Sequence, residues 1–169
     1  MEHVEQALAE FTARRHSPAA SKMDALLRIE GFSEPRVLPF LLQVVVDIQE
    51  LPEVRAHVIK ALRIRQLASD ERAAVVAAIG RVLGDGPSPG LRVQAALTLA
   101  EFTDVEGVTR ILGTVALDDT EPLDLRYSAF TSLERAMPRS ECVDVLRQLS
   151  VDDTFDRLAR RVLSTWNFQ

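Results

Sequence analysis

Few residues of this chain are of types that do chemistry, and their spacing keeps them apart. The three histidines, His3, His16 and His57, fall on separate stretches, and none has the i, i+4 partner of a zinc-binding helix. None is followed by glutamate. The single cysteine, Cys142, opens an apolar stripe shared with Val145, Leu146 and Leu149, which reads as a small buried hydrophobe rather than a reactive thiol. Ser17, Ser33, Ser69 and Ser88 each precede a helical pattern and read as caps, so nothing assembles a Ser-His-Asp arrangement. Gly84, Gly86 and Gly90 surround a turn with no strand before it, which is not the setting of a phosphate loop. The acidic run from Asp118 to Glu121 reads as a solvated turn feeding a helix N-terminus. The expectation is therefore no catalytic residue, no metal and no cofactor.

The elements that must position any site are helices. Between Arg36 and Arg65, Val37, Leu38, Leu41, Leu42, Val45 and Val46 form one apolar stripe at helical spacing, and Val54, Val58, Ala61 and Leu62 form a second after Pro52. Two such helices cover each other only in part, because the outer flanks of the pair stay apolar, so more copies are needed. They are present. The pair Val54-Arg55 recurs as Leu91-Arg92 after Pro89, as Leu125-Arg126 after Pro122, and as Phe155-Asp156, at steps of 37, 34 and 30 residues. Ser21-Lys22 stands 33 residues before it. Four positions after each reference come Ala25, Val58, Ala95, Ala129 and Ala159, and four later Ile29, Leu62, Leu99, Leu133 and Leu163. A period near 34 residues predicts an all-α solenoid of about five helix pairs, about ten helices, in one domain over 1–169 with repeats at about 2–31, 33–66, 69–102, 104–136 and 139–169. Thr103 and Glu106 make a capping-box pattern before the fourth pair.

The run Leu38 to Leu42, then Asp47, then Val54-Arg55 with Val58 and Leu62, resembles a HEAT repeat, and the chain is similar to the HEAT-like family that includes the bilin-lyase type of repeat. The resemblance implies an outer helix A, an Asp-containing turn and an inner helix B opening on Val-Arg. It recurs with Asp85 before Leu91-Arg92 and Asp118 before Leu125-Arg126, and it departs at the ends, where Lys22 and Asp156 replace the arginine. It further implies that Asp47, Arg55, Asp85, Arg92, Asp118 and Arg126 form a structural ladder linking neighbouring repeats. The HEAT-type deoxyhypusine hydroxylases carry repeated His-Glu pairs as iron ligands, and this sequence has none. If B helices line a concave side, the resemblance places His57, Lys60, Arg63, Gln94, Leu97, Ser128 and Thr131 on that wall.

Composition bounds the function. The chain has 169 residues, 47% of them hydrophobic, and a formal charge of −5, so it can bury a sizeable core and lacks the excess of Lys and Arg that polyanion binding requires. One cysteine forms no internal disulfide, the acidic start is no signal peptide, and no apolar run approaches the roughly 20 residues of a membrane span; a cytoplasmic protein is expected. The mixed, mostly uncharged wall suits a protein or peptide partner, with homodimerisation open and nucleic acid and membrane disfavoured. The expected function is a non-enzymatic interaction scaffold binding a protein or peptide on its concave B-helix face. The alternative is a HEAT-like enzyme or ligand binder, similar to bacterial alkylpurine DNA glycosylases or bilin lyases.

Overall fold

The structure is a computed structural model that describes residues 3–168, leaving the side chain of Asp85 outside that description. The described residues form ten α-helices and one 3-10 turn, so the expected all-α class is found: α1 Val4–Ala13, α2 Ala19–Glu30, α3 Val37–Val46, α4 Pro52–Ile64, α5 Ser69–Asp85, α6 Pro89–Thr98 closed by the turn Leu99–Phe102, α7 Val108–Leu117, α8 Leu123–Glu134, α9 Ser140–Leu149 and α10 Asp156–Thr165. The chain divides into two compact units, Met1–Leu91 and Arg92–Gln169, with the boundary inside α6. No helix among the described residues is long and apolar enough to cross a membrane.

In the first unit α1 packs on α2 and α3 on α4, while α3 also packs on α5 and α2 on α4. Like helices therefore stack on like, which is what a repeat of helix pairs requires to cover its outer flanks. Pro52 occupies the first turn of α4, where its missing N–H costs nothing. At α5 the Glu71 carboxylate accepts the Ala68 backbone N–H at 2.8 Å, and Ser69 lies inside the helix instead of capping it. Ser33 is likewise no cap, because α3 begins four residues later at Val37.

In the second unit α7 packs on α8 and on α9, and α9 on α10. Phe155, fully buried, stacks on Phe130 with ring centroids 5.3 Å apart and meets Tyr127 at 4.8 Å. The capping box expected from Thr103 and Glu106 does not form. Helix α7 starts at Val108 directly after Gly107, whose φ of +86° suits glycine and turns the chain into the helix. At the other end α10 closes in a Schellman motif: Asn167 adopts φ +62°, its N–H reaches Ser164 O at 3.0 Å, and Phe168 N–H reaches Leu163 O at 2.8 Å.

Helices α7 and α9 approach closely at Gly113, where a Cβ would lie 2.6 Å from Cγ2 of Val145 on α9. Glycine inside a helix is intrinsically costly, so its presence here trades propensity for closeness. Gly113→Ala is expected to lower stability by about 1–3 kcal/mol through overpacking. Adding Val145→Ala should recover part of that loss in denaturant melts; additive losses in the double variant would refute the contact.

Candidate functional site

A basic residue near the start of each of the first four B helices is held by oxygen; Lys22, Arg55 and Arg126 are buried and Arg92 is half-buried. Arg55 donates Nε–H to Val45 O at 2.8 Å, and Arg126 donates Nε–H to Ala116 O at 2.9 Å, the same ten-residue step back to the last turn of helix A. At Lys22, Arg92 and Arg126 the far end of the cation then reaches forward. Lys22 Nζ lies 2.7 and 2.9 Å from the two oxygens of Glu50; Arg92 grips Glu121 with both Nη atoms at 2.8 and 2.6 Å; Arg126 Nη2 reaches Asp152 at 2.7 Å. These acids belong to the turn of the following helix pair.

The expected Asp–Arg ladder is thus offset in its bonding. Asp118 accepts Thr120 N–H and its hydroxyl at 2.9 and 2.6 Å, and Asp47 accepts Gln49 N–H at 2.9 Å, so both carboxylates tie down their own turns. The Thr120 hydrogen bonds hold the Asp118 carboxyl below its ordinary range, helped by the nearby charges of Arg126 and Arg92. The side chain of Asp85 falls outside the described residues. At Asp152 burial pushes the carboxyl up, but the Thr154 N–H, Arg126 and the Phe155 N–H outweigh it and the group ends below its ordinary value.

A different cluster has the features of a reactive site. His57 Nε2 on α4 lies 3.0 Å from Glu30 Oε1 at the end of α2. Both atoms are shut off from water, so each has the other as its near polar neighbour. Burial raises the Glu30 carboxyl above its ordinary range against the lowering influence of His57 and Arg65. Arg65 spends its guanidinium on backbone oxygens, those of Glu30 at 3.2 Å and Phe32 at 3.0 Å. Glu30 and Arg65 line two cavities. The larger, about 420 Å³, is walled further by Phe32, Glu34, Leu38 and Glu71; the smaller, about 220 Å³, by Leu41, Ala61 and Ile64, whose side chain is 89% exposed.

Of the wall residues expected from sequence, only His57 belongs to this cluster. Lys60 and Arg63 are exposed on the same helix. Gln94 is half-buried and donates to the Thr98 hydroxyl at 3.1 Å, Leu97 is half-buried, Ser128 bonds Asp124 O at 2.7 Å, and Thr131 is exposed. Glu30 and Arg65 carried no sequence signal beyond a carboxylate standing at the end of an apolar helix face just before Gly31. Cys142 is fully buried with its thiol 3.5 Å from Leu133 O, and burial pushes its pKa up to about 11, which leaves it unreactive at neutral pH. No group of three or more His, Cys, Asp or Glu able to hold a metal occurs among the described residues.

No family model matches the chain, and no curated protein does. Among solved structures it is similar to human deoxyhypusine hydroxylase in complex with glycerol, at 14% identity over 97% of this chain and 96% of that one, with a TM-score of 0.37. The expectation of a non-enzymatic scaffold binding a protein on its B-helix face is corrected here: the solved structure to which the chain is similar is an enzyme. A likeness of that size carries over no activity and no residue role, so function is argued from the geometry alone.

The offset ladder makes a pH-dependent contribution. Because the folded Asp152 value lies below the ordinary 3.8, the unfolded chain takes up the proton first, and the stabilisation present above that pH is lost as pH falls toward the folded value. Asp152→Asn should cost about 1–3 kcal/mol near neutrality. It should also flatten the fall in stability below pH 4 seen in wild-type urea melts; an unchanged acid limb would show that Asp152 is not the group responsible.

Proposed function

We propose that this chain is a HEAT-like ligand binder whose site, on its first unit, uses Glu30 and His57 to pass a proton to and from a small polar molecule. The carrying observation is the Glu30–His57 pair, 3.0 Å apart with both facing atoms buried, where Glu30 also lines two cavities. A buried carboxyl whose proton affinity is raised, in contact with an imidazole and beside a cavity, is a candidate for a catalytic or ligand-binding role. A carboxyl with a raised proton affinity beside an imidazole is the arrangement general acid–base chemistry uses near neutral pH. The repeated pins from helix B to helix A support the HEAT-like reading of the fold, and the single buried cysteine supports a cytoplasmic setting.

The cavity chemistry narrows the ligand. Glu30, Glu34 and Glu71 stand in its walls against the single cation Arg65, two of whose N–H groups are engaged by backbone oxygens, while Phe32 and Leu38 offer apolar cover. A small, donor-rich, positively charged molecule such as a primary amine fits those walls better than an anion does.

The test is an NMR titration of the His57 ring with n-butylamine, with n-butanol as the uncharged probe. Wild type is expected to show a saturable shift with the amine only, and Glu30→Gln to lose it. Because the folded Glu30 value is raised, its ionised form weakens the fold as pH climbs through that value. Glu30→Gln should therefore raise the melting midpoint at pH 7 and leave it unchanged at pH 4. A His57 ring that ignores the amine, or responds equally in Glu30→Gln, sinks the proposal.

A further inference from the structure

Glu30 and Arg65 stand in the walls of two cavities whose remaining walls differ in kind. The larger, about 420 Å³, adds the carboxylates of Glu34 and Glu71. The smaller, about 220 Å³, adds Leu41, Ala61 and Ile64. A molecule seated on the Glu30 carboxylate can therefore extend over acid or over hydrocarbon, and the two directions select different ligands.

Several features of the smaller cavity favour hydrocarbon. Arg65 is fixed at its wall, because the guanidinium donates to the backbone oxygens of Glu30 and Phe32 at 3.2 and 3.0 Å, so a second positive charge in this space is repelled. Glu30 is the one carboxylate among the lining residues, and the head of the ligand already occupies it. Ile64, the last residue of α4, is 89% exposed although it is a large apolar side chain, and it forms part of the wall. An apolar group laid against it removes that surface from water, which is the main source of affinity for such a group. The room comes from Ala61, a small half-buried residue three positions earlier. An apolar cavity of about 150 Å³ takes up benzene, so this one accommodates an arm of about six carbons. His57, Ala61 and Ile64 stand at i, i+4 and i+7 on α4, which puts the imidazole and both wall residues on one face of the helix.

We infer that the smaller cavity is the tail subsite of the Glu30–His57 site, and that the ligand is an alkyl primary amine with its ammonium on Glu30 and its chain over Leu41, Ala61 and Ile64. This rests on the reading of that pair given above and adds the class of molecule it serves. Ala61 and Ile64 are then the residues that determine specificity. They set chain length, while the pair sets charge.

The full chain would be titrated with ethylamine, n-butylamine, n-hexylamine and 1,6-diaminohexane at constant pH and ionic strength, following the His57 ring and the Ile64 methyl groups by NMR. In wild type both signals are expected to shift saturably with hexylamine, and affinity to rise about two- to fourfold per methylene from ethylamine to hexylamine. Ile64→Ser, a change at an exposed position, should lower hexylamine affinity about three- to tenfold and leave ethylamine binding as it was. Ala61→Leu, which fills the space with another good helix former, should do the same through bulk. A His57 shift with ethylamine in both variants shows that the fold and the head site survive. Equal affinity across the series, or hexylamine binding unmoved by both substitutions, overturns the tail subsite and leaves the Glu30–His57 reading standing. Diaminohexane binding more tightly than hexylamine also overturns it, and puts the arm beside Glu34 and Glu71 instead. If no amine shifts the His57 ring, the underlying reading fails and the inference falls with it.

Discussion

The arrangement of both units depends on a cation at the head of the first four B helices, buried at Lys22, Arg55 and Arg126 and half-buried at Arg92. Arg55 and Arg126 place Nε on the last-turn carbonyls of the preceding A helices, Val45 and Ala116, where four oxygens otherwise lack a helical partner and carry the negative end of the helix dipole. One bond therefore ends helix A, aims helix B and fixes the turn between them. Bringing a guanidinium into the interior is expensive unless its remaining N–H groups are met, which is why an acid from the next turn must follow. Lys22 has no Nε to spare for a carbonyl. It compensates with both oxygens of Glu50 and with the face of Phe11, 5.6 Å from its ammonium.

The period of the fold was legible because it is written in small, apolar positions that tolerate nothing else. Ala25, Val58, Ala95, Ala129 and Ala159 are all fully buried, as are Ile29, Leu62, Leu99 and Leu133 four places on. The turns were less legible. Asp47-x-x-Glu50 and Asp118-x-x-Glu121 each present two carboxylates three residues apart, and nothing in the letters says that the first bonds its own turn while the second crosses to the neighbour. Helix starts failed for a related reason: Ser33 and Thr103 are good caps in isolation, but α3 and α7 begin later, where packing of Val37 and Val108 sets the first turn.

The Glu30–His57 pair shows a harder limit. The repeat register aligns residues about 33 apart on neighbouring B helices, whereas this contact joins the last turn of α2 to the middle of α4. It arises from the offset between two packed helices, which no single-helix pattern encodes. A scan for carboxylates at the ends of apolar helices would have flagged Glu30, but not its partner. The pair also works against the fold once Glu30 ionises, since burial raises its carboxyl above the ordinary range.

The rungs of the ladder have one more consequence, for how the chain reaches its structure. Lys22–Glu50, Arg92–Glu121 and Arg126–Asp152 join residues 28, 29 and 26 apart. Closing loops of such similar length costs nearly the same entropy, within about 0.1 kcal/mol of one another. No rung is then favoured by chain length, and whichever helix pair packs first can seed its neighbours. Contacts this local in the chain avoid the slow search that distant strand pairings impose. Folding order becomes a matter of which hydrophobic faces meet first, not of which ends can find each other.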